Sequence, residues 1–318
     1  MSSATENPLT PSGPVDPEIL PVLEALDMLP SPFTRAHLDR VRVERAQEPD
    51  FGVLTRGRLV EVEELVLGEG VDVSLLLPSD ATGPLPSLVF AHGGGLMFGN
   101  RFLEGEALVD LVESHGIAVA AVEYRLAPEH PYPAALDDVM AVIAWISSGG
   151  RGGLDPAAVI VGGRSAGGHL AAAAALRARD EGIPLLGQLL IYPMLDDRTV
   201  LPAGAEPPSV PVWNHTSNRT SWDAYLGGVD DAPYGVPARA AALGGMTPAY
   251  LEVGTADLFR DECTRYALGI WAAGGEAELH VWDGAFHGSD HVAPTSRVSA
   301  ATLEARSSWI ARRLASRR

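Results

Sequence analysis

The stretch VIVGGRSAGGHLAAAAAL, Val159–Leu176, joins an apolar run to an alanine-rich segment through a turn of glycine and serine. Its β-branched start reads as a strand buried on both faces, and Ala166–Arg179 as a helix, so the chain reverses around Ser165. Gly163 and Gly167 stand two residues before and two after that serine. Residues so small let strand and helix approach closely, which holds the serine in a strained turn with its oxygen exposed. A serine hydroxyl is a poor nucleophile unless it is held this way and served by a base. The start of the following helix also favours negative charge near the reacting atom. A bare G-x-S-x-G turn recurs by chance, so its weight depends on what the rest of the chain supplies.

Upstream, LVFAHGGGLMFGN places His92-Gly93-Gly94-Gly95 directly after another buried run, Ser87–Ala91. Consecutive glycines let backbone N–H groups converge on one spot, as a developing oxyanion requires. Gly93, Gly94 and the N–H of Ala166 are the candidate donors. Downstream, Asp257 follows the strand-like AYLEVG, and His287 follows AELHVWD. The order Ser165, Asp257, His287 is the order expected of a nucleophile, an acid and a base at the carboxyl ends of parallel strands. Asp261 and Glu262 read as first-turn helix residues. Asp196 and Asp197 could supply the acid in a variant arrangement, and His280 lies within a strand.

Outside these motifs the periodicity tells a consistent story. Residues 1–15 read as a polar, proline-rich mobile tail, followed by a helix capped by Asp16 with Ile19, Leu20, Leu23 and Leu26 on one stripe. A second helix is expected over Thr34–Arg45, the two forming a separate layer over the body. LVEVEELVLG and VDVSLLLP alternate as a hairpin turning at Gly68–Gly70. IAVAAVEY, GQLLIYP and further strands then alternate with helices at Pro133–Ser147 and Glu262–Ala273. The last helix is expected to bury Val298, Ala301, Ala305 and Trp309. The predicted fold is therefore α/β, a mostly parallel sheet of about eight strands with an antiparallel start, flanked by helices. The long Pro-, Gly- and Asn-rich interruption at Leu195–Met246 reads as a functional insertion over the sheet.

Composition removes whole classes of chemistry. Of 318 residues, 41 are acidic and 23 basic, giving a net charge of −18, and every basic residue is arginine. Without lysine there is no internal Schiff base, no serine–lysine dyad and no lysine-bearing phosphate loop. So acidic a balance speaks against nucleic acid and should disfavour polyanionic substrates at low salt. The single cysteine, Cys263, reads as a packing residue and excludes an internal disulfide or cysteine-cluster zinc site. His287 and His291 stand i, i+4 without a third ligand, so no metal is expected, and His169 reads as satisfied by solvent or backbone. No signal peptide or membrane span is evident, so a cytoplasmic protein without a membrane partner is expected. The sequons at Asn214 and Asn218 read as chance.

At these motifs the chain resembles the hormone-sensitive-lipase-like branch of the α/β-hydrolase fold. The likeness rests on HGGG (His92–Gly95), YRLAPEHPYPAALDD (Tyr124–Asp138), GRSAGG (Gly163–Gly168), YPMLD (Tyr192–Asp196), DLFRDE (Asp257–Glu262) and GAFHG (Gly284–Gly288). It implies a cofactor-free carboxylesterase whose catalytic domain spans residues 51–318. Residues 1–50 and the insertion 195–246 are the expected cap. The implied substrate is a short- to medium-chain small-molecule ester, with Leu96, Met97, Phe98, Trp213 and Trp222 as candidate pocket walls. A homodimer is the assembly considered. An amidase or acyltransferase would use the same triad. A non-catalytic binding protein is the other alternative, since plant gibberellin receptors resemble the family but lack the histidine retained here as His287. Arg125 and Glu129 read as scaffold. One departure stands out: Arg164 occupies the position before the nucleophile where the family usually carries an acid.

Overall fold

Alternating sequence makes the first two strands. β1 (Val60–Leu67) turns Glu61, Glu64 and Val66 to solvent and pairs antiparallel with the almost wholly buried β2 (Val71–Pro78). Gly68 and Gly70 make the reversal with positive φ, as the hairpin reading required. Six further strands follow: β3 (Leu85–Ala91), β4 (Ala118–Glu123), β5 (Leu154–Arg164), β6 (Gly187–Ile191), β7 (Ala249–Gly254) and β8 (Ala277–Trp282). They complete one eight-stranded sheet in the order β1-β2-β4-β3-β5-β6-β7-β8, antiparallel at β1–β2–β4 and parallel thereafter. The structure, a computed structural model, describes residues 13–25, 33–46, 48–68, 70–150, 152–199, 212–229 and 231–316. Most of the expected tail, Leu26 and the stretch 200–211 of the insertion lie outside them.

Helices cover both faces. They are α1 (Leu20–Ala25), α2 (Leu38–Arg45), α3 (Phe51–Leu54), α4 (Gly105–His115), α5 (Ala134–Ser147), α6 (Ala166–Glu181), α7 (His215–Leu226), α8 (Arg260–Ala272), α9 (Ser289–Val292) and α10 (Arg297–Ala315). Among the described residues none is long and apolar enough to cross a membrane. The alanine run of α6 is buried throughout Ala171–Ala175, so the helix lies close on the sheet with little side-chain bulk between them. The main core, built on the central strands, runs through both faces, and a second, smaller cluster forms around Ile19.

The N-terminal helices rest on the loops at the carboxyl edge of the sheet. Ile19, just before α1, packs with Ala256, Phe286 and Ala293, and the N–H groups of Gly13 and Asp16 donate to the carbonyls of Thr255 and Gly284. Arg42 on α2 donates to the carbonyls of Met97 and Ala127 and forks onto Glu129 at 2.8 and 2.9 Å. Glu129 thus joins loop to helix, while Arg125 grips the buried Asp138 of α5; both are scaffold contacts.

Asp16 does not cap an immediate helix. Its side chain accepts from the N–H of Glu18 and its carbonyl from Ile19 and Leu20, so a turn precedes α1. The expected helix at Thr34 likewise opens as a 3₁₀ turn, Arg35–His37, before α2. Of the stripe expected on α10, Trp309 is buried, but Ser299, Thr302 and Arg306 are buried in place of their neighbours Val298, Ala301 and Ala305, because Arg306 reaches buried carboxylates beneath the helix.

Two glycine substitutions separate packing from conformation. A Cβ on Gly167 would stand 1.9 Å from the Ala91 carbonyl oxygen, whereas one on Gly116, the left-handed cap of α4, would meet nothing within 4 Å. Gly167→Ala is expected to cost about 3 kcal/mol or more, and Gly116→Asn no more than about 1 kcal/mol. Thermal or urea unfolding of the two variants checks the contrast.

Candidate active site

β5 ends at Arg164 and α6 begins at Ala166, leaving Ser165 alone in the turn. Its backbone has φ 54° and ψ −115°, a conformation a side chain rarely adopts. The turn is pinned on several sides. Ser165 N–H donates to the Ile191 carbonyl at 2.8 Å, and its own carbonyl accepts from His169 and Met194. Gly163 is equally constrained, since a Cβ there would lie 2.3 Å from the Gly167 backbone.

The loop after β8 brings His287 to the serine. His287 Nε2 lies 2.9 Å from Ser165 Oγ, and Nδ1 lies 2.8 Å from Oδ2 of Asp257, which follows β7. The other Asp257 oxygen accepts from the Phe259 N–H at 2.9 Å. An ionised carboxylate only accepts, so Asp257 favours the proton on Nδ1 and leaves Nε2 free to take the serine proton. The rings of Tyr192 and Phe259 stand edge-on to the imidazole at 4.8 and 5.2 Å. The competing acids are engaged elsewhere. Asp196 pairs with Arg198, Asp197 with Arg239, and Asp261 with Arg260. Glu262 is buried in the first turn of α8, accepting from Leu195 N–H and the Thr199 hydroxyl, and burial drives its carboxyl well above the ordinary range.

Of the three expected oxyanion donors, the N–H groups of Gly94 and Ala166 have no acceptor among the described residues. Gly93 differs: its N–H points to Glu104 Oε1 at 3.3 Å. Gly94, Gly95 and Leu96 all have positive φ, which turns the chain sharply after β3. Gly94 must be glycine, since a Cβ would stand 1.9 Å from the Phe98 carbonyl oxygen. His92 stacks on Tyr124 at 4.2 Å with Nδ1 2.6 Å from the Gly93 carbonyl, and burial pulls its pKa down to about 4. It therefore stays neutral beneath the loop at ordinary pH.

The expected wall residues Leu96, Met97, Phe98, Trp213 and Trp222 are all buried. Phe98, Trp213 and Phe33 form an aromatic group with centroids 5.3 to 6.3 Å apart. The Ser221 hydroxyl of α7 donates to the Gly95 carbonyl, fastening the insertion to the glycine loop. Trp222 stands edge-on to His169 at 5.1 Å. His169 is buried, with Nδ1 3.1 Å from the Met194 carbonyl and Nε2 without a hydrogen-bond partner among the described residues, so the backbone satisfies only one of its ring nitrogens. Asn214 caps α7, and the buried Asn218 bonds Thr199 and Trp213, so both sequon side chains serve the fold. Cys263 is buried against the Pro193 carbonyl. His280 stacks on Trp282 and approaches Glu278, while His291 is exposed. Among the described residues no group of three or more His, Cys, Asp and Glu side chains could hold a metal.

Beneath the triad lies a charged cluster that spacing did not reveal. Arg164 is buried and pairs with Asp290 at 3.1 Å; Asp290 also accepts from Arg306 at 2.8 Å and from Tyr192 OH at 2.9 Å. Arg306 bridges onward to Glu252 of β7. Burial opposes ionisation of Asp290, but Arg164 and Arg306 hold its carboxyl below the ordinary carboxylate range. Arg164 was a visible oddity beside the nucleophile. Its partners are scattered over distant helices and strands, so no local pattern points to them.

Glu104 offers a pH test. Burial raises its pKa to about 7, against the downward pull of Arg164 and of the Gly93 N–H. A folded pKa above the unfolded value means that the native state binds more protons. The contribution of Glu104 to stability is then most favourable below about pH 4.5 and becomes less so as pH rises through about 7. Glu104→Gln keeps an acceptor but removes the charge. Relative to the parent it should gain on the order of 3 kcal/mol at pH 8 and almost nothing below pH 4.5, read from unfolding curves at both pH values.

Comparison with known proteins places this geometry in a family. A family model described as alpha/beta hydrolase fold matches residues 88–291. Esterase LipI of Mycobacterium tuberculosis is 38% identical over 218 residues, 66% of this chain and 67% of that protein. Carboxylesterase NlhH of the same organism is 33% identical over 282 residues, 83% of this chain and 86% of that protein. The crystal structure of esterase LipW from Mycobacterium marinum superposes with a TM-score of 0.85 at 32% identity, covering 95% of this chain and 98% of that one. With a family model across most of the sheet and esterases matched along nearly the whole chain, this protein belongs to the hormone-sensitive-lipase-like carboxylesterases of the α/β-hydrolase fold.

Proposed function

We propose that the chain hydrolyses short- to medium-chain acyl esters through Ser165 as nucleophile, His287 as general base and Asp257 as the group that orients the imidazole. The observation that carries this reading is the unbroken relay from Asp257 Oδ2 through both ring nitrogens of His287 to Ser165 Oγ, at 2.8 and 2.9 Å. Ser165 Oγ attacks the ester carbonyl as Nε2 takes its proton. The resulting imidazolium is stabilised by Asp257 and returns the proton to the departing alcohol. Water, deprotonated by the same nitrogen, then releases the acid. Every proton moves between groups of the chain, the substrate and water, so the steps call for no cofactor.

The developing oxyanion is assigned to the N–H groups of Gly94 and Ala166. The Gly93 N–H already has a carboxylate acceptor, and its role is to fix the loop. Residues 1–50 and 195–246 are read as the cap: Phe33 packs on Phe98 and Trp213, and α7 is fastened to the glycine loop through the Ser221 hydroxyl, so both segments reach the loop beside the serine.

Ser165→Ala should lower kcat by about four to six orders of magnitude with an unchanged unfolding midpoint. Near-normal turnover by the purified variant on a soluble butyrate ester would contradict the assignment. On chain length, p-nitrophenyl acetate through octanoate should turn over faster than long-chain triglyceride emulsions. The reverse order, measured on one preparation, would refute the capped-site reading.

A further inference from the structure

The three residues assigned to the triad come from three separate segments, and each segment touches the same buried polar cluster. Arg164 directly precedes the nucleophile. Asp290 lies three residues beyond His287, at the start of α9. Glu252 sits on β7, the strand that delivers Asp257. Asp290 is the common partner: one oxygen accepts from Arg164 and Arg306, and the other from Tyr192 OH. Tyr192 presents its ring edge to His287 and lies beneath the Arg164 guanidinium, which is 5.8 Å from the ring centroid. Tyr192 also holds a positive φ of 33°, so its placement is imposed by its surroundings.

We propose that Asp290 is a positioning residue for ester hydrolysis. Paired with Arg164 it locks the nucleophile turn to the histidine loop, and through Tyr192 it places the ring that packs against the His287 imidazole. The inference builds on the triad reading above.

Stability alone does not account for such a cluster. Well-packed apolar side chains of similar volume usually serve a core as well as a buried ion pair or better. What apolar packing lacks is direction. An Arg–carboxylate contact fixes both distance and angle, and a proton transfer between Ser165 and His287 depends on both. The partners are far apart in sequence, so each bond sets the register between segments that no local turn connects. Arg306 and Glu252 extend the same register to the strand before Asp257. A shift of about 1 Å between reacting groups costs on the order of a hundredfold in rate, which is the leverage such a device has.

The test compares Asp290→Asn, Tyr192→Phe, Arg164→Met and Arg164→Lys with the parent. It measures kcat and KM on p-nitrophenyl butyrate, the rate of Ser165 labelling by a fluorophosphonate, and the unfolding midpoint. Assays run well below every midpoint. Asp290→Asn and Arg164→Met should lose about ten- to a hundredfold in kcat with KM within twofold, and labelling should slow in parallel. Arg164→Lys should recover most of the loss. Tyr192→Phe keeps the ring but loses the bond to Asp290, and should lose about three- to tenfold. Variants that melt earlier yet keep kcat and labelling within twofold of the parent would overturn the proposal and leave the triad reading intact. A parent protein unlabelled at Ser165 would overturn the triad reading itself. Should Asp290→Asn fail to fold, Tyr192→Phe and the two Arg164 variants decide the question by the same readings.

Discussion

Ser165 holds a backbone conformation that side chains avoid, and it can do so because nothing larger than a hydrogen stands on the α-carbons two residues to either side. Gly163 and Gly167 bring β5 and α6 within contact of each other and of the Ala91 carbonyl. Such strain costs on the order of 1–3 kcal/mol and persists only where the surroundings over-determine it. Here they do, through bonds from Ile191, His169 and Met194 and the packing of α6 on the sheet. The close approach has a direct chemical consequence. It lifts the serine oxygen out of the strand's end towards the one place where the loops after β3, β7 and β8 can converge.

Parallel strands supply that convergence. From β3 to β8 every carboxyl end lies on the same edge, so the glycine loop, the acid and the histidine arrive together although they are far apart in sequence. The N-terminal segment and α7 then close over the edge. Arg42 holds Met97 and Ala127, and the Ser221 hydroxyl holds Gly95. The chain's negative charge lies mostly on its surface, whereas beneath the triad positive and negative groups are nearly balanced. Arg164 and Arg306 face Asp290 and Glu252, with Glu104 close to its own titration near neutrality.

Much of this was legible in the sequence because it is written locally. A strand that must be buried on both faces, a turn that must be glycine and a helix rich in alanine each leave a pattern within a dozen residues. The succession of strands and helices, the serine turn and the candidates Asp257 and His287 are all read from such patterns, whereas the order of the strands in the sheet is not. The rest depends on contacts between segments that carry no mutual signal. The displaced stripe of α10 is an example: hydrophobicity points to Val298 and Ala301, but Arg306 turns inward because two carboxylates wait there. Gly93 is another. Three glycines in a row look interchangeable until the Glu104 carboxylate, eleven residues on, claims the first N–H. Arg164 was noticeable as a basic residue beside the nucleophile, yet its meaning resides in Asp290, 126 residues away.

The central claim is that one serine, activated through one histidine, carries the reaction. Peptide mapping by mass spectrometry after exposure to diisopropyl fluorophosphate tests it most directly. The account predicts a single phosphoryl adduct on the peptide containing Ser165, formed in step with the loss of esterase activity, and no adduct on the Ser165→Ala protein. An adduct on a different serine that tracks the loss of activity would contradict it, as would complete inactivation with Ser165 unmodified.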